Sequence, residues 1–319
     1  MESHEGDLQL IRERIKTLPS KADRWKGHSD MPFYLYQGFW YKPFVLENIM
    51  WQQDHFVAHP SDIVLATPHK GGTTWLNALA FAIVTRDRFN SSTSPLLTSL
   101  SHDCVRNLAL PSLREVPKTP LLGAFHTPYV SLPKSILASG CKIVYMCREP
   151  KDLFVSQWYF LQSLSKEQVS LEEAIALFCE DASPFGTYWD HVLGYWKASL
   201  QRPNEVLFLK YEDMKRSTMD QVKKLAEFMG YPFSPEEETE GKVKNVVDFC
   251  SFDNLRNLEV NKTGFVEVTE ELKVSNNLFY RRGEVGDWEN HLTREMQERI
   301  DRITEERFTS WGLTYDIAT

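Results

Sequence analysis

Residues 62–84 read DIVLATPHKGGTTWLNALAFAIV, and the folding of this stretch decides how the rest of the chain is arranged. Ile63 to Ala66 is an unbroken apolar run, the pattern of a strand buried on both faces. From Thr73 onward Leu76, Leu79, Ala80 and Ile83 recur at helical spacing. Between the two lie Lys70, Gly71, Gly72, Thr73 and Thr74. The first backbone amides of a helix lack intrahelical partners and point, with the helix dipole, at whatever sits above them. Glycines let a ligand approach the backbone, threonine hydroxyls add donors, and Lys70 adds a full positive charge. The segment reads as strand, phosphate cradle, helix. The alternative is a glycine turn that only caps a buried helix. The nucleoside-triphosphate loop GxxxxGK[ST] does not fit, because Lys70 precedes the glycines.

Three further apolar runs have the same buried-strand character: PLLGAF (120–125), KIVYMC (142–147) and EVLFLKY (205–211). Helical patterns separate them, among them LEEAIALFCED (171–181) and MDQVKKLAEFMG (219–230), the latter closed by Gly230. Strands alternating with helices predict a single α/β domain with a central parallel sheet flanked by helices and a P-loop-like strand-loop-helix. Such sheets bind ligands beyond the carboxyl ends of their strands. A closing amphipathic helix is expected from Met296, Ile300, Ile303 and Arg307. The polar residues 1–30 are expected to be a loosely packed leader, with the domain spanning 31–319. FYLYQGFWYKP (33–43) holds six aromatics and suits either a strand or a wall of an apolar pocket. The stretch 262–276 has no clear period and suits a mobile flap.

With 36 Lys and Arg against 44 Asp and Glu the net charge is −8, which argues against nucleic acid as a partner. At 42% hydrophobic residues the chain can bury a sizeable core. The five cysteines have no CxxC or zinc spacing and read as free thiols of a reducing compartment. No signal-peptide or bilayer-length apolar run is visible, so a cytoplasmic protein without membrane attachment is expected.

Other segments offer anion chemistry. In CREPKDLFVSQW (147–158) Arg148 would emerge at the carboxyl end of a strand, with Ser156 about two turns into a helix opened by Pro150. In FYRRGEVGDW (279–288) Arg281, Arg282 and Gly283 form a basic turn able to hold a phosphate. The plainer readings are a surface Arg–Asp pair and a solvated turn. His126, just past a strand in GAFHTPYVSLP, is a candidate general base.

KGGTTWL, HTPY, CREPKDLFVSQW, KYEDM, CSFDNL and RRGEVGDW occur in this order, and matching segments run from about Phe33 through Trp288. In this the chain resembles the cytosolic sulfotransferases, most of all their plant branch. The resemblance implies transfer of a sulfuryl group from 3′-phosphoadenosine-5′-phosphosulfate (PAPS) to a hydroxyl of a small acceptor, leaving adenosine 3′,5′-bisphosphate (PAP), with no metal. It assigns Lys70, Gly71, Gly72, Thr73 and Thr74 to the phosphosulfate and Trp75 to the adenine. Arg148, Ser156, Arg281, Arg282 and Gly283 fall on the 3′-phosphate, and Tyr211, Ser251 and Phe252 complete the nucleotide pocket. His126 is the base and Lys70 assists the leaving phosphate.

Several positions depart from the family. Pro68–His69 stands where tyrosine–proline is usual, Gly71 where serine or threonine is, Asn77 in place of a lysine, and Phe125 in place of a small hydroxyl residue. Glu289 and Arg294 alter the segment that pairs animal relatives, so a monomer is expected, with a weak dimer left open. The aromatics Tyr36, Tyr129, Trp158 and Phe185 are candidates for an acceptor pocket, with core packing as the plain alternative. They suit a phenolic, flavonoid-like acceptor; a steroid, a hydroxyjasmonate or a desulfoglucosinolate is the alternative. Readings from other classes are a Mg²⁺-dependent nucleotide kinase, separable by metal chelation, and a nucleotide-binding protein with impaired turnover.

Overall fold

In the computed structural model residues 2–25, 31–108, 120–165, 167–180, 187–267 and 273–315 are described. Within the expected leader one helix is packed. Helix Glu2–Lys16 buries Leu8, Ile11 and Ile15 against the helix Pro43–His55, in a cluster with Leu46, Ile49 and Trp51. The apolar side chains recur every three to four residues among charged ones, so composition hides a narrow apolar stripe. Three short strands follow, β1 (Ser20–Lys21), β2 (Phe33–Tyr36) and β3 (Phe39–Tyr41), paired antiparallel with Gln37 and Gly38 turning the hairpin.

The central sheet has five parallel strands: β4 (Ile63–Ala66), β5 (Arg106–Asn107), β6 (Leu122–Phe125), β7 (Lys142–Cys147) and β8 (Val206–Lys210), in the order β5-β6-β4-β7-β8. Four of these are the apolar runs of the sequence. The fifth, β5, has only two residues and carries no pattern of its own. Side chains alternate across the sheet. Val64 and Ala66 join one apolar core with Phe125, Tyr145 and Phe154, whereas Ile63 and Leu65 join the other with Leu76, Leu79 and Ile83. Because both faces are covered, the strands read as continuous apolar runs.

Helix Thr73–Thr85 buries all four residues expected on its inner face, and Leu76, Leu79 and Ile83 are fully enclosed. Truncating one such leucine to alanine costs roughly 2–5 kcal/mol. Helix Thr218–Phe228 ends with Gly230 at positive φ, as the sequence predicts. In the closing helix Arg294–Phe308 the buried stripe is Met296, Ile300, Thr304 and Phe308; Arg307 lies outside it and pairs with Asp190 at 3.1 Å. The stretch expected as a flap carries two short antiparallel strands, β9 (Phe265–Glu267) and β10 (Lys273–Ser275), on either side of residues outside the described set.

β6 lies on one side of β4 and β7 on the other, so the direction of strand addition reverses at β4. Ala66 is in register with both Phe125 and Tyr145. The segments leaving β4, β6 and β7 therefore emerge side by side at one sheet edge, bringing Lys70, His126 and Arg148 together. Among the described residues no helix is long and apolar enough to cross a membrane.

Candidate active site

The loop after β4 is tight and strained. Gly71 N–H donates to Pro68 O at 2.8 Å, and Lys70 adopts the left-handed region at φ 67°, a conformation costly for a residue with a side chain. Gly72 then begins the helix that carries Thr73, Thr74 and Trp75. A Cβ on Gly71 would lie 2.8 Å from Cγ and Cδ of Pro68. The carbonyl oxygen of Pro68 would lie 2.9 Å from the same Cβ, so both the proline ring and the backbone of this turn require glycine at 71. Asn77 is buried in the helix and does not line the cavity above the loop.

That cavity has a volume of about 200 Å³. Lys70, Gly72, Thr73, Thr74, Trp75, His126, Arg148, Ser156, Tyr211, Ser251, Phe252, Arg281, Arg282 and Gly283 all line it. Of the nucleotide and catalytic candidates, only Gly71 does not, its place being against Pro68. Thr67 and Thr73 share a hydroxyl hydrogen bond at 2.5 Å, tying the end of β4 to the start of the helix. Trp75 and Tyr211 meet edge to face at 5.5 Å. Ser251 accepts from Asn254 N–H at 3.3 Å and so caps the helix that starts at Phe252. Gly283 has φ +69° and a Cβ there would lie 2.3 Å from Phe252, so the basic turn closes on that ring only with glycine.

The charge in the cavity is one-sided. Lys70, Lys215, Arg148, Arg281 and Arg282 line it, and no carboxylate appears among its described lining residues. Burial, then Arg148 and Arg281, pull the Lys70 amine down to about 7, although it keeps partial access to the cavity. Nε of Arg148 and Nε of Arg281 are buried and have no hydrogen-bond partner among the described residues. An anion rich in acceptor oxygens would satisfy both, so the donor set fits a phosphorylated nucleotide.

The arginines are held from behind. Arg148 and Asp152 approach to 3.9 Å as a buried pair, and not as a surface pair. Asp152 also accepts from Gly286 N–H at 2.7 Å and from Trp288 N–H at 3.1 Å, fastening the basic turn to the helix Pro150–Leu164 that carries Ser156. Arg281 donates to Asp287 at 2.5 Å, while Arg282 is largely exposed.

His126 stands where β6 ends. Its Nδ1 lies 3.0 Å from Thr67 O, which can only accept; Nδ1 therefore carries the proton and Nε2 keeps a free lone pair. Burial lowers the His126 pKa; the bond to Thr67 opposes this and Lys70 adds to it. His191, held neutral at about 4 by burial, donates Nε2–H to His126 O at 3.0 Å and accepts from the Tyr145 hydroxyl at 2.9 Å.

Sequence reasoning assigned no site role to four residues here, although it marked His69 as a departure from the family. His102 bonds Thr74 Oγ1 at 3.0 Å and packs on Phe279 at 4.8 Å. His69 meets His126 edge on at 5.4 Å and Phe160 at 5.1 Å. Lys215 and Phe279 also line the cavity. His69 and Phe279 lie in quoted motifs but carry no pattern that assigns them a role, and only the fold brings His102 and Lys215 here.

The aromatic candidates for the acceptor are not gathered at this cavity. Tyr36 donates to Gln53 at 2.7 Å, Tyr129 packs edge to face on Tyr195 at 5.4 Å, and Trp158 donates to Val169 O at 3.1 Å. All three spend their polar or ring contacts on the body of the fold. Phe185 lies outside the described residues.

Comparison with known proteins agrees in one direction. The sulfotransferase domain family matches residues 60–312. A flavonol 3-sulfotransferase from Flaveria bidentis is 46% identical over 95% of this chain and 99% of its own length. Cytosolic sulfotransferase 17 of Arabidopsis thaliana is 44% identical over 97% of this chain and 91% of its own. A solved Arabidopsis thaliana sulphotransferase superposes with a TM-score of 0.75 at 35% identity, covering 98% of this chain and 97% of that one.

Proposed function

Because this chain belongs to the sulfotransferase family, we propose that it moves a sulfuryl group from PAPS to the hydroxyl of a small phenolic acceptor. The observation that carries this reading is the cavity itself: two lysines, three arginines and no carboxylate among its described lining residues, with a neutral imidazole at one wall. When bound, the nucleotide supplies an activated sulfuryl group whose bond to the bridging phosphate oxygen breaks as the acceptor oxygen bonds to sulfur. Lys70 and the first amides and hydroxyls of the helix Thr73–Thr85 are placed to hold the phosphosulfate end. Arg148, Ser156 and the turn Arg281–Gly283 are placed for the 3′-phosphate, and Trp75, Tyr211 and Phe252 for the base and sugar.

His126 Nε2 takes the acceptor proton, and the Thr67 carbonyl stabilises the resulting imidazolium through Nδ1–H. Lys70 compensates charge that grows on the departing phosphate oxygen. A phenolic acceptor is supported by the flavonol 3-sulfotransferase relative and by the aromatic surroundings of His126, where His69 meets it edge on and Phe160 lies tilted against His69.

The test is incubation of the purified protein with radiolabelled PAPS and a panel of flavonols, simple phenols and hydroxysteroids. Label appearing on phenols first is the expected result. Label on steroids alone would overturn the acceptor assignment, and tight PAP binding with no transfer to any acceptor would leave only a nucleotide-binding protein.

A further inference from the structure

One short segment takes hold of the phosphate-binding helix at a single residue. Ser101 and His102 open the helix Ser101–Cys104, which leads into β5. The buried Ser101 hydroxyl donates to Thr74 O at 2.9 Å, and His102 Nε2 lies 3.0 Å from Thr74 Oγ1. Neighbouring side chains thus grip both the carbonyl and the hydroxyl of Thr74. The His102 ring packs on Phe279 at 4.8 Å, and His102, Thr74 and Phe279 all line the cationic cavity. Burial, then His126 and Lys70, pull the His102 pKa down to about 3, so the ring is neutral and carries one N–H.

We propose that His102 is a positioning residue for the 5′ end of the nucleotide: its Nε2–H donates to Thr74 Oγ1 and so turns the Thr74 proton toward a phosphosulfate oxygen. The inference rests on the reading of the cavity as a PAPS site. The 3.0 Å contact allows either direction, the hydroxyl donating to the ring or the ring to the hydroxyl. A bound anion decides between them. Its oxygens only accept, so Thr74 spends its single proton on the anion, and the Oγ1 lone pair must then be met by a proton on Nε2. Binding therefore selects one tautomer of His102, with Nδ1 unprotonated. A helical threonine otherwise divides between two χ1 rotamers, because its hydroxyl can bond a carbonyl one turn back. The clamp from Ser101 and His102 holds one of them. A chain of donors that ends on an anion also strengthens each bond within it.

The test titrates PAP and 3′-AMP, which lacks the 5′-phosphate, into the wild type, His102→Phe and His102→Gln by calorimetry. Phenylalanine keeps a flat ring against Phe279 and removes the donor, whereas glutamine returns an N–H near the place of Nε2. PAP affinity is expected to fall about tenfold in His102→Phe and to recover mostly in His102→Gln, with 3′-AMP affinity within about twofold of the wild type in both. In Thr74→Val, which has no hydroxyl to orient, adding His102→Phe should weaken PAP binding no further. Unchanged PAP affinity in His102→Phe, equal losses on both nucleotides, or losses that add to those of Thr74→Val would overturn the proposal alone. A wild type that binds PAP no tighter than 3′-AMP would instead refute the placement of the 5′-phosphate over the loop, and the proposal with it.

Discussion

A Cβ on Gly71 would lie 2.8 Å from both Cγ and Cδ of Pro68. The proline ring occupies the space that a serine or threonine side chain would need, and Lys70 between them is held at φ 67°. The turn after β4 therefore excludes a side chain at 71 twice over, by the proline ring and by the residue 68 carbonyl oxygen 2.9 Å away.

Gly71→Ser alone is expected to destabilise the protein by about 1–3 kcal/mol, the usual range for overpacking. Adding Pro68→Ala should recover only the part due to the ring, because the residue 68 carbonyl oxygen, 2.9 Å from the added Cβ, stays in place. Thermal unfolding of the two single variants and the double variant measures the coupling; additive effects would separate the two positions.

Replacing His126 with Asn removes the lone pair that faces the cavity. Turnover should fall by about 10²–10⁴-fold, as for loss of a positioned base. PAP affinity should hold within about threefold, since His126 is placed for the acceptor. Steady-state kinetics paired with PAP titration separates the two effects, and equal losses in both would move His126 into nucleotide binding.

Lys70 sits at about 7 in the free protein, lowered by burial and by Arg148 and Arg281. A bound phosphate favours the protonated amine and raises that value, so binding at pH 8 should take up close to one proton. Affinity for PAP should fall as pH rises above about 7, because binding must then supply the missing proton. Calorimetry in buffers of different ionisation enthalpy reads the uptake. It should vanish in Lys70→Met.

Asp152 joins the helix that carries Ser156 to the turn that carries Arg281, through the amides of Gly286 and Trp288. In Asp152→Asn one carboxylate oxygen becomes a donor facing an amide, which costs about 1–3 kcal/mol for an unsatisfied buried group. Lower thermal stability together with about tenfold weaker PAP binding is expected. Weaker binding of 5′-AMP to the same degree would show that the clamp does not act through the 3′-phosphate side.

Four central strands and most residues that line the cationic cavity were legible because each is announced locally, by an apolar run or by glycine, lysine and arginine in a short motif. What was hidden depends on tertiary placement. β5 has two residues, Arg106 and Asn107, too few for a period. His102 carries no local mark, and His69 and Asp152, though inside quoted motifs, take their places only when the loop, the segment around Ser101 and the helix Pro150–Leu164 meet. Tyr36, Tyr129 and Trp158 do not line the cationic cavity, and aromatic clustering in sequence marks packing as readily as a pocket. The helix Glu2–Lys16 was masked by its charge, which lies on the face away from Leu8, Ile11 and Ile15.

The claim beneath all of this is that the cationic cavity grips an adenosine carrying phosphate at both the 3′ and 5′ positions. Titrating PAP and 5′-AMP into the wild type and into Arg148→Ala tests it directly. PAP should bind the wild type at least tenfold tighter than 5′-AMP, the worth of one charge-assisted hydrogen bond or more, and most of that advantage should disappear in Arg148→Ala. Equal affinity for the two nucleotides in the wild type, or an advantage untouched by the substitution, would contradict the account.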